Sequence, residues 1–110
     1  MSKTKHDEFH DAMMKNYEEA NKIKSGNFTR FKKMLDEFRG VETARKLVRN
    51  SMPSVGFTKL WENDKLNLSA EFLVMETEKN EWIELFSNEE RAMAKKKLKE
   101  YNFFKKEINK

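Results

Sequence analysis

The chain has 110 residues, enough for one ordinary domain and too few for two. It holds no cysteine, which excludes a disulfide framework and thiolate chemistry, and its net charge of +4 is small enough that self-repulsion does not oppose folding. The apolar fraction is low at 37%, but 13 aromatic residues, each able to bury a large area, tip the balance from disorder to a folded core.

Three glycines and one proline interrupt the whole chain, too few turn formers for a β-rich domain of this size. The expectation is an all-α single domain over residues 1–110, a compact bundle of five or six short helices, frayed at about 1–5 and 105–110. Phe9, Met13, Tyr17 and Ala20 recur at helical spacing and predict a first helix over about residues 6 to 23, stopped by Ser25-Gly26-Asn27. Asn27 is the predicted cap of the next helix, whose stripe is Phe28, Phe31, Leu35 and Phe38. Gly40 is placed to end that helix in the left-handed conformation.

A third helix then runs from Val41 through Ala44, Leu47 and Val48 to Asn50-Ser51-Met52-Pro53. Ser54 caps a short fourth, with Phe57, Leu60 and Trp61 inward, and Asn63-Asp64 breaks it. Ser69 caps a fifth, with Glu71 in the first turn and the run Phe72-Leu73-Val74-Met75 in the centre; a buried strand is the alternative for that run. A connection pinned by Trp82, Leu85 and Phe86 leads to the capping box Ser87-Asn88-Glu89-Glu90 and a last helix with Ala94, Leu98 and Tyr101 inside. Phe103 and Phe104 fold back on it. The predicted core is therefore built around Phe31, Leu35, Phe38, Phe57, Leu60, Trp61, Leu73, Val74 and Leu98.

Gly56-Phe57, Leu60-Trp61-Glu62, Leu66, Leu68-Ser69, Glu71, Leu73-Val74, Leu85-Phe86, Glu90, Ala94, Leu98 and Tyr101 form a pattern. It resembles that of a widespread, functionally uncharacterised family of small bacterial helical proteins reading GF..LWE, then LDL(S/T).E.LV, then LF..EE...A...L..Y. Thr29-Arg30-Phe31 and Ala44 also fit, so the resemblance spans about residues 9 to 101. It implies a helical fold and transfers no catalytic residue. Asn67 stands where members often carry Asp, and Lys65 where they often carry Arg.

Motifs for chemistry are sparse. His6 and His10, at i and i+4, have the spacing of two zinc ligands. The chain offers no further histidine or cysteine, so the expectation is a solvated face and no metal. With no histidine near a nucleophile and no glycine-rich phosphate loop, the expectation is a protein that is not an enzyme and carries no cofactor. An enzyme with a site invisible to motifs is the minor alternative. The N-terminal stretch lacks the apolar segment of a signal peptide, and the longest apolar run is Phe72 to Met75, so a cytoplasmic, non-membrane protein is expected.

Charge is unevenly distributed. Residues 1–88 carry 15 basic and 15 acidic side chains; residues 89–110 carry 8 and 4. Arg91, Lys95, Lys96 and Lys99 on the last helix, with Lys97 between them, are therefore candidate contacts for nucleic acid or another partner. Residues 41 to 61 also admit a helix-turn-helix reading, although the connection at Met52-Pro53-Ser54 is long for that motif. Met14, Ile23, Met34, Met52 and Phe103 fall at the edges of their stripes and are candidates for a protein contact. The leading functional expectation is a small regulatory or binding protein that contacts a protein or nucleoprotein partner in a bacterial or phage cytoplasm. Nucleic-acid binding through the basic helix is the alternative.

Overall fold

The computed structural model describes residues 3–23, 28–101 and 103. Helix α1 spans Lys5–Ala20, α2 Thr29–Arg49, α3 Val55–Glu62, α4 Ala70–Glu76 and α5 Asn88–Glu100. Three single 3-10 turns, Leu66–Leu68, Thr77–Lys79 and Ile83–Leu85, join the last three helices. The described residues contain no strand, so the Phe72 to Met75 run is helical. The radius of gyration is 13.4 Å, close to the roughly 13 Å of one compact domain of this length. This is an all-α single domain.

Local chemistry explains most boundaries. Thr4 and Asp7 form a capping box that starts α1 at Lys5, so order begins within the segment expected to fray. The N-cap of α2 is Phe28, with no side-chain cap bond, and not the predicted Asn27, which with the stop Ser25-Gly26-Asn27, Phe104 and 105–110 lies outside the described residues. Ser54 accepts from the Phe57 amide at 3.0 Å and Ser69 from the Phe72 amide at 3.1 Å, which start α3 and α4. Between them Asp64 takes φ 61°, a left-handed turn that Asp tolerates well. The Ser87–Glu90 capping box opens α5.

Helix α2 holds the second and third predicted helices as two arms, divided close to the predicted stop: Arg39, at φ 67° and ψ 177°, is non-helical. Arg39, and not Gly40, takes the positive φ; Gly40 instead allows close packing. A Cβ there would lie 2.5 Å from the His10 Cα, so glycine lets α2 cross α1 backbone to backbone. Thr43, fully buried, donates to the Met34 carbonyl across the break at 2.9 Å.

The break also removes Phe38 from the core. Phe38 stays 36% exposed, its ring covered by the Lys46 ammonium 4.6 Å from the centroid. Trp61 is the second correction, at 44% exposed. Helix α3 has only two turns, and Phe57 and Leu60 fill its inner face. Trp61 lies over the rim, edge-on to Tyr101 at 5.5 Å, and Tyr101 meets Phe57 at 5.0 Å. The other predicted core residues are buried or half-buried. Leu35, Val74 and Leu98 are fully enclosed, and Phe31 and Leu73 pack at the margin.

Candidate functional site

Four charged side chains lie inside this small core. Lys97 is 5% exposed and donates to Glu71 at 2.8 Å and to the Leu47 carbonyl at 2.8 Å, with its ammonium 5.7 Å from the Phe57 ring centroid. One side chain of α5 thereby binds α2, α3 and α4 together. Glu90 is equally enclosed and accepts from Arg45 at 2.9 Å and Arg49 at 3.0 Å. Burial pushes the Glu90 carboxyl up, but the Ser87 amide and the two guanidinium groups outweigh that and hold it below its usual range.

Arg91 is the third correction. It is buried, and its guanidinium donates to the carbonyls of Ile83 at 2.9 Å and Phe86 at 2.8 Å and to the Asn88 side chain. It therefore fastens the segment before α5 and presents nothing to a partner. With Lys97 also internal, only Lys95, Lys96 and Lys99 of the basic helix face outward. None of the three forms an ion pair among the described residues. Lys95 shares a shallow hollow with Glu76 and Glu78, which dilutes the positive field there.

The two histidines differ in their surroundings. His6 is exposed. His10 is half-buried beneath the α1–α2 crossing, where burial lowers its pKa below the ordinary imidazole value, with the nearby Arg39 acting in the same direction. Asp7, between them, is held low by the Thr4 amide and hydroxyl and then by Arg39. The described residues contain no group of three or more metal-ligating side chains.

The principal concavity lies elsewhere. A groove of about 720 Å³ opens between the first turns of α2, the last turns of α2 and the start of α3. Phe28, Phe31, Met34, Leu47, Pro53 and Val55 give it apolar walls. Gly56 lies in the same wall, where a Cβ would press the Phe28 ring at 3.3 Å. Arg30, Lys33 and Lys46 are its charged lining among the described residues, and no described carboxylate lines it. All three cations are exposed and none forms an ion pair among the described residues. Val55 in this lining is 63% exposed, and Met52, the residue before the lining Pro53, is 70% exposed.

Of the five residues expected at a protein contact, Met34 lines this groove and Met52 stands beside it. Met14 and Ile23 pack against the core, and Phe103 packs on Phe72 at 5.5 Å. Arg30, Lys33 and Lys46 escaped sequence reasoning. Residues 1–88 are neutral in sum, and only the approach of the two arms of α2 across the break at Arg39 brings these three cations into the lining of one groove.

No described helix is long and apolar enough to cross a membrane. Comparisons with family models, curated proteins and solved structures gave no match to this chain.

Proposed function

We propose that this chain is a small non-catalytic binding protein that contacts a protein or nucleoprotein partner through the α2–α3 groove, in a bacterial or phage cytoplasm. The observation that carries the reading is the groove itself: a solvent-open apolar trough whose lining includes Val55, 63% exposed. Exposed apolar surface rimmed by polar residues marks contact sites, because leaving it in water costs free energy that a partner recovers. The lysine helix α5 and the resemblance to small bacterial helical proteins fit the same class of protein without naming a partner.

The test compares affinity capture of the tagged chain and of a Met34→Glu/Val55→Glu variant from the native cell, each with and without nuclease. The reading expects a protein partner that survives nuclease and is absent from the variant's capture. Equal recovery by variant and wild type would remove the groove from the account.

A second reading follows from Lys95, Lys96 and Lys99, exposed and without ion-pair partners. These three would neutralise phosphates, and every phosphate so neutralised steepens the log–log salt dependence of duplex binding by about 0.9. The triple Lys→Glu variant is expected to flatten that dependence by roughly 2–3 if nucleic acid is the partner, and to change nothing if the groove reading is correct.

A further inference from the structure

We infer that the occupant of the groove is an acidic amphipathic helix of a protein partner, and this inference rests on the binding reading above. Two observations choose the occupant. Charge comes first. Arg30, Lys33 and Lys46 line the groove, all exposed, and among the described residues none forms an ion pair and no carboxylate shares the lining. Unpaired lysines also occur on α5, but the hollow that Lys95 lines contains Glu76 and Glu78, whereas the charged lining of the groove is all positive. An occupant carrying Asp or Glu beside its apolar residues neutralises that rim; a basic one is repelled by it.

Extent comes second. The apolar lining runs from Phe28 and Phe31 through Met34 and Leu47 to Pro53 and Val55, the last 63% exposed. Apolar side chains from both arms of α2 and the start of α3 make a trough that suits an elongated occupant. A helix laying residues spaced i, i+3, i+4 and i+7 along the trough covers it. The methionine wall at position 34 suits such a ligand, because an unbranched thioether adapts to different apolar side chains.

The test uses three synthetic helices of about five turns with one shared apolar stripe and a polar face of Glu, Gln or Lys. Each is titrated into the isotope-labelled full chain and followed through the amides of Phe31, Leu47 and Gly56. The Glu peptide is expected to shift those amides and to bind about tenfold or more tighter than the Lys peptide, a preference that shrinks at high salt. Lys33→Glu/Lys46→Glu should invert the order while leaving the melting temperature close to wild type.

Equal or tighter binding of the Gln or Lys peptide at these amides would overturn the acidic occupant and leave the groove reading standing. Glu-peptide shifts confined to the α5 amides, or no shift with any peptide, would overturn it as well. In those cases the capture comparison with Met34→Glu/Val55→Glu, which uses no peptide, still decides the groove reading separately.

Discussion

Arg39 and Gly40 divide between two residues a task that one glycine often performs at a helix end. Arg39 carries the positive φ, in a region of backbone space that costs a non-glycine residue about 1–3 kcal/mol, while Gly40 carries the close approach to His10. Arg39→Gly should therefore stabilise the fold by about 1 kcal/mol after allowance for glycine's greater unfolded-state freedom. Gly40→Ala should destabilise it by about 1–3 kcal/mol, because the added methyl meets backbone that cannot yield. Thermal melting of both variants checks the pair; a rise for Gly40→Ala would contradict the crossing geometry. The aromatic pair on α3 separates in the same assay. Phe57→Ala should cost about 3–5 kcal/mol, and Trp61→Ala about 1 kcal/mol, since much of the indole is already wet. Sequence periodicity puts both rings on the inner face. It is right for Phe57 and wrong for Trp61, because an eight-residue helix has room for only a narrow buried stripe.

At the scale of the element, α5 is fixed by charges that its sequence displays as ordinary surface lysine and glutamate. Lys97 sits in a run of four cations within five residues, and nothing in the run distinguishes it. Its position opposite Glu71 and the Leu47 carbonyl exists only once α2, α4 and α5 are packed. Lys97→Met should cost about 3–5 kcal/mol by leaving Glu71 buried without a partner, and Lys97→Met/Glu71→Leu should recover at least half of that destabilisation. Denaturant melts of Lys97→Met, Glu71→Leu and the double variant check this; an additive double mutant would contradict the pairing. Glu90 gives the pH dependence. Its folded pKa is depressed, so its contribution is present above the unfolded carboxyl value of about 4.3 and is lost as pH falls through the lower folded value. Glu90→Gln should cost about 2 kcal/mol at neutral pH. Its melting curve should converge on that of wild type as pH drops below about 4. A constant gap across that window would show that the carboxylate charge is not what holds Arg45 and Arg49.

At the scale of the whole molecule, the helices, the caps Ser54, Ser69 and Ser87 and most core residues were legible because periodicity and capping act over four to seven residues. The groove was not, because its walls come from both ends of α2 and from α3, and its cations are separated in sequence by up to sixteen positions. Counting charge along the chain points to α5, where packing withdraws Arg91 and Lys97 from the surface. The central claim is that the α2–α3 groove, and not the lysine face of α5, is where this protein meets its partner. A photo-crosslinking amino acid placed at Val55, at the groove mouth, and in a separate variant at Lys96, on the exposed face of α5, tests that claim in the native cell. The account predicts one discrete protein adduct from position 55, resistant to nuclease, and none from position 96. A silent position 55 with adducts from position 96 would contradict it.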